Sequence, residues 1–182
     1  MRLTLPTALT SLVVAATLAA APSAAHAATA RPPCADSGLL PTAENLPAIR
    51  DAILCLHNQE RSARGLHPLA QNARLQAAAA AHTTEMVDDG YFAHASADGT
   101  SFSARILRSG YVGRDSSWIL GENLAWGTDD LATPANLMSA WMHSPEHRAN
   151  VLTRAYRDVG IGIGFTGADA RLTITADFGA RR

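Results

Sequence analysis

Lysine is absent: all fifteen basic residues are arginine. A GC-rich coding sequence accounts for that bias, and no function follows from it. Excess charge is absent as well. Without Arg2, fourteen arginines face sixteen carboxylates, a formal balance of 14 − 16 = −2 with histidine neutral. A chain so balanced is not held on nucleic acid by bulk charge. There is no internal repeat, no long linker and no low-complexity stretch beyond the apolar start and a short proline-containing lead. Cysteine is nearly absent: Cys34 and Cys55 are the two copies, with no redox motif around them.

What is present at the start reads as an export signal. Arg2 supplies a positive end, Leu3 to Ala21 is apolar, and Ala25-His26-Ala27 has the small-x-small form of a cleavage site. A membrane anchor is the rival reading, but Pro6 and the Thr and Ser residues interrupt the run, and small residues rather than charges follow it. The chain therefore divides into a signal over 1–27, a lead segment over 28–45 and one domain over 46–182, a length that supports a single sizeable core. The expected localisation is secreted, with no membrane span once the signal is removed, and the expected state is a monomer. In the oxidising space outside a membrane Cys34 and Cys55 can join, closing a loop of about twenty residues worth roughly 3 kcal/mol in the chain-entropy model. That bond would tie the lead segment, Arg31 to Pro41, to the first helix. Two free thiols are the alternative.

Asn45 can cap a first helix with Pro47 in its first turn; Ile49, Ile53, Leu54 and Leu56 follow at helical spacing, and Gly65 gives the stop. A second helix is framed by Asn72 and Gly90, with Leu75, Ala78, Ala79, His82 and Met86 on one face. Ser101 to Gly110 predicts a short third helix, Thr133-Pro134 opens a fourth through Leu137, Met138 and Trp141, and a last turn spans Glu146 to Leu152. Then the period changes to two. Ile161, Ile163 and Phe165 alternate with Gly160, Gly162 and Gly164; after Gly167 to Ala170, Leu172, Ile174, Ala176 and Phe178 alternate with Thr173, Thr175 and Asp177. This predicts an antiparallel hairpin, with a third strand around Glu122 to Trp126. Glycines along one side of a strand admit a close backbone neighbour. The fold class is α+β, helices packed over a small antiparallel sheet.

Several ordered motifs carry a resemblance. They are His57-Asn58-x-x-Arg61, Gly65-Leu66 with Leu69, Phe92-Ala93-His94, Gly110-Tyr111 and Gly121-Glu122-Asn123-Leu124-Ala125-Trp126-Gly127. Further on come Trp141-x-x-Ser144-Pro145-x-His147-Arg148-x-Asn150-x-Leu152, Gly160-x-Gly162 and Asp177-Phe178-Gly179. Together these resemble the bacterial, SCP-like branch of the CAP superfamily, which includes cysteine-rich secretory proteins, venom allergens and plant pathogenesis-related proteins. The resemblance implies an α-β-α sandwich.

In many members of that superfamily two histidines and two glutamates line a central cleft, and the positions matching three of them are His94, Glu122 and His147. The fourth carboxylate has no clear match: Ser144 stands where animal members carry a Glu, and Glu146 is a weak substitute. Two imidazoles and a carboxylate can hold a divalent metal such as zinc with positions left open. They can equally satisfy one another by hydrogen bonding and fasten loops over the sheet. His143-x-x-Glu146-His147 spells an inverted zinc-peptidase pattern, but Pro145 breaks the helix that pattern needs. There is no Gly-x-Ser-x-Gly and no evident oxyanion pair, which leaves a Ser144/His147 nucleophile pair as a remote alternative. Asn58 and Arg61, one turn apart, read as structural fasteners, with Asn123 and Arg148 in the same motif set. Trp126 and Trp141 read as core or cleft wall, with core packing the default, and Trp118-Ile119-Leu120 as an apolar loop able to touch lipid or a partner.

The function expected is a secreted binding or interaction module acting through the cleft and its loops on a lipid or an envelope or host protein. A zinc-dependent extracellular hydrolase or peptidase is the alternative, and an envelope-structural protein a third possibility.

Overall fold

The computed structural model of the chain describes residues 34–113 and 117–181. The export signal expected over 1–27, and the lead segment before Cys34, lie outside them. In chain order the elements are α1 (Leu46–Ser62), β1 (Ala70–Gln71), α2 (Ala73–Asp88), α3 (Phe102–Arg108), β2 (Trp118–Gly127), α4 (Pro134–His143), α5 (Pro145–Leu152), β3 (Asp158–Thr166) and β4 (Arg171–Arg181). A single 3-10 turn, Asp129–Ala132, joins β2 to α4.

Three helices, α2, α3 and α4, start where the sequence offers a side-chain acceptor. Asn72 takes the amides of Arg74 and Leu75, Ser101 that of Ala104, and Thr133 that of Asn136, each satisfying donors that a first helical turn leaves free. Asn45 differs from expectation. Its side chain accepts from the Thr42 amide and donates to the Leu40 carbonyl, so it ties the lead segment to the helix start instead of capping α1.

The sheet runs β1-β3-β4-β2, with β1 parallel to β3 and the other pairs antiparallel. The expected hairpin and third strand are both there; β1, two residues long, carried no signal of its own. α2 packs on β3 and β4 and α3 on β2, while α1, α4 and α5 pack around the opposite face, giving the α-β-α sandwich. β4 is consequently buried on both faces from Leu172 to Gly179. Leu172, Ile174, Ala176 and Phe178 join Ile49, Ile53 and Trp141 in the larger core, and Leu75, Ala78, Ile106 and Tyr111 form a smaller one on the α2 side.

The glycine face of β3 is what lets α2 lie so close. A Cβ on Gly160 would fall 2.1 Å from the Gln76 amide, and one on Gly162 2.3 Å from the Ala79 carbonyl, both backbone atoms that cannot swing away. Cys34 and Cys55 form a disulfide, with their Cα atoms 5.7 Å apart. The lead segment is held a second time where the Ala135 amide of α4 donates to the Ser37 carbonyl.

Two expectations fail on the β2 strand. Trp118, Ile119 and Leu120 form its first residues and not a loop, because they pair with Arg181, Ala180 and Gly179 of β4. Trp126 is 51 % exposed where core packing was expected. It closes an edge strand, and its ring is covered by the Arg171 guanidinium, 4.6 Å from its centroid. Trp141 is buried in the core, its indole N–H donating to the Leu124 carbonyl.

Candidate functional site

The site lies along the free edge of β2. Glu122 sits in the middle of that strand with its side chain fully buried. Its Oε1 accepts from His94 Nδ1 at 2.7 Å and its Oε2 from an Arg105 terminal nitrogen at 2.6 Å. Arg105 comes from α3 and is itself anchored, its other terminal nitrogen donating to Ser96 Oγ and the Thr100 carbonyl. Charge-assisted bonds this short are the strong kind.

His94 stands on the connection between α2 and α3, and a second set of polar contacts fixes that connection. His82 on α2 donates from Nε2 to the Ala93 carbonyl at 2.9 Å. One turn further, Glu85 accepts from Ser96 Oγ at 2.8 Å and from the Ala97 amide at 2.9 Å. Those contacts keep the Glu85 carboxyl below its usual range, against the opposing effect of burial. The result is a loop pinned on both sides of His94, whose own side chain remains 55 % exposed.

His147 comes from α5, on the other face of the sheet, and reaches the same edge. Asn123, next to Glu122 on β2, donates to the His147 carbonyl, and Asn150 bridges to Asn123 Oδ1 and to the Glu122 carbonyl. The two histidines feel each other electrostatically and are driven apart. The Glu122 hydrogen bond raises His94 above the ordinary imidazole value, while burial, and then the charge of His94, lower His147. Glu146 is exposed and favours the charged form of both. The edge therefore offers one imidazole inclined to carry a proton beside one inclined to lack it.

The other sequence candidates fall elsewhere. Ser144 occupies the break between α4 and α5, and no hydrogen bond joins it to His147 among the described residues. His143 ends α4 and bonds back to the Ser139 carbonyl, so it does not share a helix with His147. Asn58 clasps Leu69 through both its amide and its carbonyl. Arg61 is fully buried and donates to four carbonyls, those of His67, Val151, Thr153 and Tyr156, tying α1 to the α5–β3 connection. Arg148 lies at the surface.

His94, Glu122 and His147 do not fit as a ready metal cage. Both Glu122 oxygens already accept from cationic or potentially cationic donors, and among the described residues no group of three His, Cys, Asp or Glu side chains is placed to hold an ion. Two residues of the site are not marked as such by the sequence, although Asp177 belongs to the Asp177-Phe178-Gly179 motif. Arg105 is one. The other is Asp177, directly opposite Glu122 in the β2–β4 register and buried beside it. Only the register, which no sequence spacing displays, brings residues fifty-five positions apart together.

Five helices around a four-stranded sheet set the class of fold. The match to the cysteine-rich secretory protein family model runs over residues 54–178, and the chain belongs to that family. Among curated proteins it is 32 % identical over 119 residues to the uncharacterized protein YkwD of Bacillus subtilis, covering 65 % of this chain and 43 % of that protein. Similar folds include an extracellular SCP-domain protein from Bacillus anthracis (TM-score 0.59, 24 % identity, 72 % of this chain and 42 % of that one). An outer surface protein from Borrelia burgdorferi has a TM-score of 0.64 at 18 % identity, with 78 % and 96 % of the two chains covered. The chain thus spans less than half the length of YkwD and of the Bacillus anthracis protein.

Proposed function

We propose that this is an exported binding module whose recognition site is the His94–Glu122–His147 edge of β2. The single observation that carries this reading is the state of Glu122. A carboxylate with both oxygens engaged by Arg105 and His94 is a fixed support, not a free base or an open metal ligand. What it supports is an exposed imidazole on a pinned loop, with a second imidazole beside it, an arrangement suited to hydrogen bonding with a polar ligand group.

Export is supported by the signal-like start of the sequence and by the disulfide. The extracellular and outer-surface descriptions of the Bacillus anthracis and Borrelia burgdorferi proteins point the same way. The partner class we favour is a lipid or an envelope or host protein, with the exposed Trp118 and Ile119 adding apolar surface at one end of the same strand.

Calorimetric titration of the purified, oxidised protein with zinc tests this against the metal-dependent hydrolase alternative. The companion variant is His94→Ala/His147→Ala, checked for folding by circular dichroism. The binding-module reading expects no stoichiometric uptake by the wild type. Stoichiometric zinc binding that disappears in the double variant would overturn it and put the hydrolase first.

A further inference from the structure

The sheet register sets three strands side by side at one level: Glu122 of β2, Asp177 of β4 and Gly160 of β3. Asp177 is only 1 % exposed, and its Oδ1 has no hydrogen-bond partner. The neighbours leave it little choice. On β3 the facing residue is a glycine, and above that strand run Leu75 to Ala79 of α2, none of them ionisable. Tyr111, over the next position at Gly179, is committed to Asp158. The nearby cation is Arg105; its terminal nitrogens are given to Glu122, Ser96 and Thr100, its Nε has no partner, and no hydrogen bond joins it to Asp177 among the described residues.

An ionised Asp177 would therefore be a second buried negative charge against Glu122, with no donor bonded to its Oδ1. A protonated carboxyl removes the repulsion and supplies the missing bond. Each carboxylate oxygen has two lone-pair sites, so Glu122 can accept a third donor besides His94 and Arg105.

We infer that Asp177 is held as the neutral carboxylic acid and donates its proton to Glu122, which makes it the buried positioning residue of the His94–Glu122 site. Burial, followed by the Glu122 charge, pushes the Asp177 carboxyl well above the usual carboxylate range, with Arg105 opposing. The cluster then holds one negative charge against one guanidinium, and Glu122 is the carboxylate bonded to the His94 ring. A second negative charge beneath it would favour the imidazolium form of His94 further. The inference concerns the proton beneath the site in the metal-free protein, and it is tested there separately from the zinc titration.

Two measurements on the full folded domain test it. Carbon-13 NMR of the aspartate carboxyls follows the wild type itself: the Asp177 signal should stay at the protonated position through neutral pH while the exposed aspartates titrate in their ordinary range. An Asp177 signal that titrates with them overturns the inference. The second is Asp177→Asn, the uncharged isostere, with His94 followed by proton NMR. If Asp177 is neutral, the His94 midpoint and the melting temperature at pH 7 hold. A fall in that midpoint, which the loss of a negative charge would produce, sinks the idea. Should the variant not fold, the wild-type carboxyl signal still decides.

Discussion

Glu122 is the residue on which the site turns, because it meets a cation on one oxygen and an imidazole on the other. Glu122→Gln keeps the shape and removes the charge, so the His94 midpoint should fall, read by proton NMR. An unchanged midpoint would mean that the hydrogen bond to Glu122 does not govern His94. The sign carries to stability. A histidine raised in the folded state contributes stability that is complete below the unfolded imidazole value and is lost as pH rises through the folded one, and the variant lacks that contribution. The candidate cleft residues are legible in the sequence because short motifs spell them. Arg105 is not, being one arginine among fifteen whose role appears only when α3 is laid against β2. His82 and Glu85 are equally silent: a histidine on a helical face looks the same whether it merely packs or, as here, clasps the loop that presents His94.

At the scale of elements, the contact between α2 and β3 depends on what β3 lacks. Gly160→Ala should cost about 3 kcal/mol in urea denaturation, the upper end of the range for overpacking, since the new methyl meets helix backbone and not a movable side chain. A cost well under 1 kcal/mol would show that α2 can lift off the sheet freely. The alternation of glycine with Ile161 and Ile163 makes this contact legible from the sequence, because a period of two and a bare face are both properties of residue order. Strand β1 is not legible, since two residues carry no period, nor is the exposure of Trp126, which depends on β2 being at the edge. The disulfide is a second device at this scale. Cys34→Ser/Cys55→Ser should lower stability by about 3 kcal/mol, less if the bond from Ala135 to Ser37 retains the lead segment unaided. Thermal melts of the variant beside the reduced wild type measure it.

For the molecule as a whole, the large core contains a titratable group that its apolar neighbours do not advertise. His57 of α1 is completely buried. Its ring lies 5.3 Å from that of Trp141 and 5.5 Å from that of Phe178, so it touches helix and sheet layers together. Nδ1 donates to the Ile53 carbonyl, and Nε2 has no partner. Burial, assisted by the charge of Arg61 and opposed by the bond to Ile53, lowers its pKa from 6.5 to about 4. The unfolded chain therefore binds a proton that the folded one refuses between those values, and stability must fall as pH drops through the interval. Full development of that difference is worth about 3 kcal/mol, at roughly 1.4 kcal/mol per pH unit. His57→Phe keeps an aromatic ring against Trp141 and Phe178, removes the orphan nitrogen and should flatten the slope. Urea denaturation of both proteins at intervals from pH 7 to pH 4 makes the comparison. Parallel curves would mean that the acid sensitivity arises elsewhere. A wild-type curve that falls while the variant's holds would place in His57 a pH limit on the whole sandwich, because the same ring supports α1, α4 and β4.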